Sequence, residues 1–246
     1  MIDGLEAVGL TTEIGSITAK DITADEIMLM SKSGDIEMNG IIDSDVITAE
    51  TDADGDVIIT GKVIVGENLT VSTMYGDIIV DSECRNDFVN FNTEEGAIQA
   101  QKLSNKVCNL NVEKMGEINA KVNVGQLNVN VRRGSVDIFV ESITTDSSIL
   151  IKEGGKVNLT VPIKTPFKLW LSAPMTNIAP KLQNFGELVL SVENGNEEFS
   201  TENTSKNGQV PVLRVHVSQG SIHVNVAKEN EDQFENFGID SATESS

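Results

Sequence analysis

The sequence predicts an all-β protein built as a single stack of parallel coils, a β-solenoid, with a more irregular C-terminal end. The first observation is a glycine, one variable residue and then Ile or Val, a pattern that recurs at steps of 18 to 21 residues. The second is the alternation of apolar and polar residues on both sides of these glycines, which is typical of strands with one buried face. The third is that no window shows sustained helical spacing.

The recurring glycines set the period of the repeat. A period in this range indicates a solenoid, in which each coil of about 20 residues buries its inner face against the next coil. Glycine is expected at a corner that a side chain would obstruct or that needs a positive φ. The corner glycines are Gly15, Gly34, Gly55, Gly76, Gly96, Gly116, Gly134 and Gly155, with a later copy at Gly220.

Apolar residues at fixed positions around each corner glycine predict the core. These are positions two and four after the glycine and positions seven and five before it; in two coils the earlier pair lies one residue further upstream, as an insertion at the corner would give. Stacked strands about 4.8 Å apart would turn these positions into continuous inner columns and eight coils into a rod about 40 Å long. The predicted inner residues after the glycine are Ile17, Ala19, Ile36, Met38, Val57, Ile59, Ile78, Val80, Ile98, Ala100, Ile118, Ala120, Val136, Ile138, Val157, Leu159, Ile222 and Val224; those before it are Val8, Leu10, Ile27, Leu29, Ile47, Ala49, Leu69, Val71, Val89, Phe91, Cys108, Leu110, Leu127 and Val129.

The chain divides into four predicted parts. Residues 1–7 form a lead-in, residues 8–161 the regular coils, residues 162–226 the terminal part of the solenoid with longer loops and antiparallel strands, and residues 227–246 a disordered acidic tail. All five prolines and the single Trp follow the regular coils, and proline favours strand starts and edges. Within the terminal part, the polar stretch 194–209 is expected to be a mobile loop.

The first coil presents a problem at its outer edge. A solenoid needs its first coil covered, yet only about seven residues precede the first repeat. Three explanations stay open: a poorly ordered first coil, a coil paired with another molecule, or upstream coils missing from this chain, which we expect. An uncovered coil also predicts end-to-end self-association.

Charge is distributed unevenly along the chain, which carries a formal net charge of −20. Residues 1–100 hold 21 acids and 4 bases, whereas residues 101–227 hold 11 acids and 13 bases. Such an acidic surface argues against nucleic acid and anionic membranes as partners and favours a basic protein. No apolar run reaches the ~18 residues of a membrane helix, and no signal peptide is visible, so we expect a soluble intracellular protein.

Acidic residues that follow consecutive corner glycines are the first candidate site. Asp35, Asp56 and Asp77, with Glu117 two coils further on, would form a column of carboxylates at the spacing of the coils. A Ca²⁺ ion bridging two carboxylates is one reading, and solvated corner residues are the other, which we favour. The stretch 52–56 fails as an EF-hand loop because valines stand where glycine and glutamate are required, so we assign no metal-binding residue.

Catalytic residues are also not assigned, and we expect a protein that is not an enzyme and needs no cofactor. His216 and His223 are the only histidines, both are expected to point outward, and two histidines are too few for a metal site. Carbohydrate-active β-helix enzymes use clustered acids and arginines, for which Arg132, Arg133 and Asp137 are the nearest match.

The cysteines and a set of recurring asparagines lead to two further structural predictions. Cys108 lies on an inner column and is expected to be a buried thiol, and with Cys84 as the only other cysteine no disulfide scaffold is indicated. Outward asparagines recur at matching positions in three coils and are expected to stack as amide ladders. These are Asn90, Asn92, Asn109, Asn111, Asn128 and Asn130.

The repeat resembles that of the adhesin domain family, a family of β-solenoid repeat proteins of unknown function. The matching stretches are Met30-Ser-Lys-Ser-Gly-Asp-Ile36, Val71-Ser-Thr-Met-Tyr-Gly-Asp-Ile78 and Val217-Ser-Gln-Gly-Ser-Ile222. The resemblance covers residues 8–226 and implies a β-solenoid with no catalytic residues. It extends to uncharacterised eukaryotic members, which implies a mitochondrial setting, and it departs from the family in lacking a signal peptide.

Together these observations predict a non-catalytic scaffold that binds a protein partner, with residues 1–100 binding a basic partner. The alternatives are a carbohydrate-binding or adhesion module, a β-helix carbohydrate-active enzyme, and a solenoid that associates end to end through its first coil. A carbohydrate-active enzyme would need a groove with exposed aromatic residues and a carboxylate pair within about 10 Å of each other.

Overall fold

The computed structural model describes residues 5–162, 167–179, 187–193, 196–202 and 210–227, and in this part of the chain every regular element is a strand. The strands are β1 Leu5–Thr12, β2 Ile17–Ser31, β3 Ile36–Thr51, β4 Val57–Ile59, β5 Lys62–Thr73, β6 Ile78–Ile143, β7 Ser147–Val161, β8 Lys168–Ala173, β9 Met175–Ile178, β10 Glu187–Glu193, β11 Asn196–Glu202, β12 Val212–Val217 and β13 Gly220–Val226. The long strands are long because pairing between coils continues through the corners.

Strands β1 to β7 pair in parallel and form the regular part of the solenoid. The register follows the repeat, since Ile36 lies opposite Ile17 in one neighbouring coil and opposite Val57 in the other, and Val57 lies opposite Ile78. The predicted fold class, an all-β parallel solenoid, is confirmed. About seven turns lie between the first and the last of the regular corner glycines.

The corner glycines lie in one column, as predicted. A Cβ atom built on Gly76 would overlap the backbone carbonyl of Gly55, and one built on Gly155 would overlap that of Gly134. The φ angle of Gly76 is not positive, so the close approach of two backbones, rather than a left-handed conformation, requires glycine there. Gly220 continues the column, because its Cβ would overlap the carbonyl of Gly155.

The predicted inner columns form the core. Every predicted residue at positions two and four after a corner glycine is buried, and so are those before it from the second coil onward. The one-residue shift at Ile47 is also confirmed, because Ile47 lies opposite both Ile27 and Leu69. Leu10 is 41% exposed, since β1 pairs with β2 on one side only within the described residues.

Each coil has a third side that the sequence did not reveal. In one coil, residues 57–59 form the downstream side, residues 62–65 the third side and residues 69–73 the upstream side before the next corner. Buried residues on the third side form another inner column, in which Ile42 lies opposite Val63. The pairing there shifts register in several coils, which disrupts the alternation that predicts the other two sides.

The terminal part places its coils out of sequence order. Strands β12 and β13 pair in parallel with β7, and on their other side they pair with β8 and β9. Strand β11 pairs antiparallel with β8 and with β10, which confirms the predicted antiparallel strands. The prediction of a mobile loop at 194–209 is wrong for residues 196–202, which form β11; the predicted tail lies outside the described residues beyond residue 227.

Candidate functional site

The interior is filled by apolar side chains, so the candidate functional groups lie on the outer surfaces and at the corners. The column of aspartates is present: the backbone N–H of Asp56 donates to Asp35 Oδ1 at 2.9 Å, and that of Asp77 donates to Asp56 Oδ1 at 2.8 Å. Asp77 Oδ1 in turn accepts from the N–H of Ala97 at 2.7 Å, and Ala97 interrupts the column before Glu117. Each carboxylate therefore fastens one coil to the next through a charge-assisted hydrogen bond.

This use of the aspartates is a structural role that neither reading of the sequence included. The carboxylate oxygens are partners of backbone groups rather than only of water, and the column is a structural ladder. Among the residues that the structure describes, no group of three or more His, Cys, Asp or Glu side chains is arranged to hold a metal ion.

A column of hydroxyl groups lies just inside the same corner and was missed from the sequence. Ser31, Thr51, Thr73 and Thr93 lie opposite one another in successive coils and are buried. Their hydroxyls donate to corner glycine carbonyls, at distances such as 2.7 Å from Thr73 Oγ1 to Gly76 O. The Ser or Thr that stands three or four residues before each of these corner glycines is the signal that could have indicated it.

The outer surface of the upstream side is uncharged over four coils. We call it the neutral face and define it by Thr70, Ser72, Asn90, Asn92, Asn109, Asn111, Asn128 and Asn130. The predicted amide ladders are confirmed at two steps: Asn111 Nδ2 donates to Asn92 Oδ1 at 2.6 Å, and Asn128 Nδ2 donates to Asn109 Oδ1 at 3.0 Å. The ladders hold the amides in fixed positions on a flat strand surface.

The acidic residues divide the rod into two electrostatic regions. Residues 5–82, which we call the acidic half, hold sixteen acidic and three basic side chains, and none of the acidic side chains is buried. The ion pairs between described residues all involve residues from Glu83 onward. The acidic half therefore presents carboxylates that have no basic partner among the described residues.

Beyond the acidic half, acids and bases pair between consecutive coils. Lys106 Nζ lies 2.6 Å from Asp87 Oδ2, and Lys121 Nζ lies 2.8 Å from Glu141 Oε1. The pKa of Glu83 is lowered to about 2, first by a hydrogen bond from Arg85 and further by Lys102 and Ser104, against a smaller effect of burial that raises it.

The residues considered for catalysis are not brought together. Arg132 Nε and Arg133 Nη2 bind the two carboxylate oxygens of Glu153 at 2.6 and 3.2 Å, which lowers the pKa of Glu153. Asp137 instead accepts a hydrogen bond from Asn158 Nδ2 at 3.2 Å. The arginines therefore neutralise a neighbouring coil's carboxylate.

The two histidines lie on different sides of the coil. His216 Nδ1 is 3.2 Å from Ser172 Oγ, whereas His223 Nε2 is 3.2 Å from Ser221 Oγ. Their strands, β12 and β13, pair with different segments of β7, so the two imidazoles do not share a site.

A shallow depression of about 610 Å³ lies on the third side between two coils. Glu83 is the one acidic residue among those that line it, and Glu83 is already bound to Arg85 and Lys102. Glycoside hydrolysis requires two carboxyl groups that flank the scissile bond, and this depression supplies one.

The cysteines carry no accessible thiol. Cys84 and Cys108 are both free and buried, and Cys108 lies on its predicted column. Burial raises the pKa of Cys84 to about 12 and also raises that of Cys108, so neither forms a thiolate near neutral pH. Among the described residues there is no helix with the length and hydrophobicity needed to cross a membrane.

Comparison with known proteins adds no relative from which a function could be transferred. No protein-family model, curated protein or solved structure matches this chain. The charges and shapes of its own surface are therefore the basis for a functional proposal.

Proposed function

We propose that this β-solenoid is a non-catalytic scaffold that binds a basic protein through its acidic half. The observation that carries the proposal is the excess of unpaired carboxylates over residues 5–82, set against the paired charges of the following coils. A surface that served only solubility would need no such division between two halves of one rod.

The acidic half offers exposed carboxylates to a partner on two sides of the coil. At the corner, Asp52 and Asp54 are exposed, and on the third side Asp43 and Asp45 are exposed. Clustered charges of one sign raise the local potential and speed the encounter with an oppositely charged protein. An extended basic segment that lies against this part of the protein could meet several of these carboxylates at once.

A labelled Lys/Arg-rich peptide provides a direct probe. We expect the full-length protein to bind it with a Kd that rises steeply with salt, as contacts between exposed charges require. The paired substitutions Asp52→Asn and Asp54→Asn should weaken binding several-fold by fluorescence anisotropy. The matched control, Glu113→Gln with Glu117→Gln, removes the same charge from exposed residues beyond the acidic half and should weaken binding much less. Equal weakening by both pairs, or salt-independent binding, would refute the proposal.

The neutral face supports a second candidate, the binding of a neutral glycan. Its amides and hydroxyls repeat about every 4.8 Å along the rod, which offers repeated hydrogen-bond partners to an extended chain of uncharged sugars. Binding of neutral oligosaccharides should be insensitive to salt, in contrast to the basic peptide. Asn90→Lys, on the exposed part of this face, should abolish glycan binding, whereas Asn123→Lys on the third side should not. Glycan binding by neither or both variants would exclude this face.

A further inference from the structure

The C-terminal coil is inserted between two segments that precede it in the sequence. Residues 212–226 pair with β7 on one side and with β8 and β9 on the other, and all four pairings are parallel. Elsewhere in the rod, a coil pairs with the coil that directly follows it, about 20 residues away. Here Leu213 lies opposite Ser147, so a separation of 66 residues is closed instead.

Because of this insertion, the pairing of β12 and β13 with β7 joins two parts of the chain. We call residues 5–161 the rod and the described residues of 167–226 the C-terminal unit. Neither β8 nor β9 contacts β7; within the described residues, both reach the rod through β12 and β13. The C-terminal unit is therefore attached to the rod by the edge of β7 and by the short covalent connection 162–166.

Polar contacts fix the place where the inserted coil begins. The backbone N–H of Val212 donates to Asp146 Oδ1 at 3.0 Å, and Arg214 Nη1 donates to Asp146 Oδ2 at 3.1 Å. The N–H of Lys168 donates to the carbonyl of Pro211 at 2.8 Å on the opposite side. The inner face of the coil continues the aliphatic columns, with Val215 opposite Ile149 and Ile222 opposite Val157. The edge of β7 and this segment therefore match in register, in apolar pattern and in charge.

We propose that the edge of β7 accepts residues 212–226 from a second copy of this chain as well as from its own, so that two copies exchange C-terminal units and form a dimer. Every contact that holds the unit in its own chain is available from the second copy, which is the condition for domain swapping. Until the segment arrives, β7 presents an unpaired strand edge that can pair with another chain.

The separation of 66 residues makes the second copy a competitor during refolding. Before β8 and β12 have paired, closing 66 residues rather than about 20 lowers the effective concentration of the segment at its own edge roughly six-fold by the entropy of loop closure. Few residues separate β7 from β8 in the sequence, and short connections favour exchange over local closure. Exchange should therefore increase with protein concentration during refolding.

Cysteine cross-linking tests the proposal with the full-length protein. Thr160 lies opposite Asn225 across the β7–β13 ladder, and adjacent parallel strands fall within the Cα separation that a disulfide allows. Thr160→Cys and Asn225→Cys chains, of which one carries a mass tag, are mixed, unfolded, refolded together and oxidised. We expect a covalent dimer of one chain of each kind, at a yield that increases with concentration. The native cysteines are buried and do not compete.

Two controls make each outcome decisive. Thr18→Cys mixed with Asn225→Cys gives the background of random cross-linking, because Thr18 is exposed on the second strand of the rod and has a different neighbour. The double variant Thr160→Cys with Asn225→Cys in one chain should close an internal disulfide at low concentration. A mixed dimer no more abundant than this background refutes the exchange, and a double variant that stays reduced refutes the register on which it rests.

Discussion

A hydroxyl group and a glycine together shape the corners of the early coils. The glycine lets one backbone approach the next, and the buried Ser or Thr three or four residues upstream donates to a corner carbonyl that the tight turn leaves exposed to the interior. A buried carbonyl without a donor costs about as much as a lost hydrogen bond. The recurring pair of a Ser or Thr and a corner glycine therefore joins a steric requirement to a hydrogen-bonding one.

Replacing Gly76 by Ala tests the steric requirement. The added methyl group would overlap the carbonyl of Gly55, so the two coils must separate locally, and we expect a loss of about 3 kcal/mol in the free energy of unfolding. Gly154→Ala is the matched control, because its Cβ would lie 3.6 Å from the nearest atom, the carbonyl oxygen of Gln219. Urea denaturation measures both. Similar losses for the two variants would show that chain flexibility, and not close approach, explains the glycine column.

The hydrogen-bonding requirement can be tested at one carbonyl. Thr73 Oγ1 and Thr93 Oγ1 both donate to Gly76 O, at 2.7 and 3.1 Å. We expect Thr73→Val and Thr93→Val each to lower the free energy of unfolding by about 1 kcal/mol, and the double variant to lose more than the sum, because the carbonyl then has neither hydroxyl. Val131 stands at the equivalent position before Gly134, so the shape of Val is acceptable there. Strict additivity would indicate that the two hydroxyls act independently.

Glu83 gives the chain a pH-dependent contribution to stability. Hydrogen bonding from Arg85 and Lys102 lowers the pKa of Glu83 from 4.5 to about 2. Because the folded-state value is the lower one, the contribution is present above about pH 4.5 and is lost as the pH falls toward 2. We expect about 1 kcal/mol, since the pairs are partly solvated. The difference in unfolding free energy between the protein and Glu83→Gln should be present at pH 6 and vanish near pH 2; a constant difference would assign it to packing.

At the scale of the elements, the regular sides were predictable and the third side was not. Alternation around Gly76 fixes which of its neighbours point inward, because a strand has a period of two. The third side contains Gly40 and Gly61 and shifts its register, so paired residues such as Ile22 and Ile42 lie at different distances, seven and eight residues, after their corner glycines. Alternation of apolar and polar residues within one strand therefore cannot predict a segment whose register depends on its pairing with the neighbouring coil.

The order of the last coils and the candidate site were predictable only in part. The motif at Gly220 showed that a repeat returns, but its place between β7 and β8 depends on pairing over 66 residues, which no local pattern encodes. The aspartate column was placed correctly from its spacing, whereas the donor to Asp35 is a backbone N–H of the next coil and leaves no mark in the sequence. Unpaired charge in the acidic half follows from composition, because so few bases are present there.

Asp146 is a single residue that we expect to stabilise the C-terminal unit locally. Asp146→Ala removes the acceptor for both Val212 N–H and Arg214, so β12 should detach more often from β7. The side chains are about half exposed, so we expect less than about 1 kcal/mol, confined to β8 and β12. Hydrogen exchange of individual amides should show faster exchange in these strands and unchanged exchange in β2 and β3. Uniformly faster exchange would contradict a local role.

On the scale of the whole molecule, the rod carries two kinds of surface on one continuous core. Among the described residues, one hydrophobic cluster extends from Ile17 in the rod to Val224 in the C-terminal unit, so packing does not distinguish the acidic half from the coils beyond it. Charge does: carboxylates repel one another between coils in the acidic half, whereas salt bridges link coils beyond it. We expect this repulsion to lower stability, and a charge distribution with such a cost beside a complete hydrophobic core supports a function for the charge rather than for the fold.

Salt should therefore stabilise this protein. Raising the salt concentration from about 0.01 M to about 0.15 M shortens the Debye length from about 30 to about 8 Å, which screens repulsion across several coils more than it weakens close ion pairs. We expect the midpoint of urea unfolding to rise over this range.

Asp52→Asn with Asp54→Asn should raise the midpoint at low salt and reduce its dependence on salt, because these exposed carboxylates contribute to the repulsion. Glu113→Gln with Glu117→Gln should change that dependence less. A midpoint that falls with salt would mean that the ion pairs from Glu83 onward outweigh the repulsion, and that the acidic half is not under electrostatic strain.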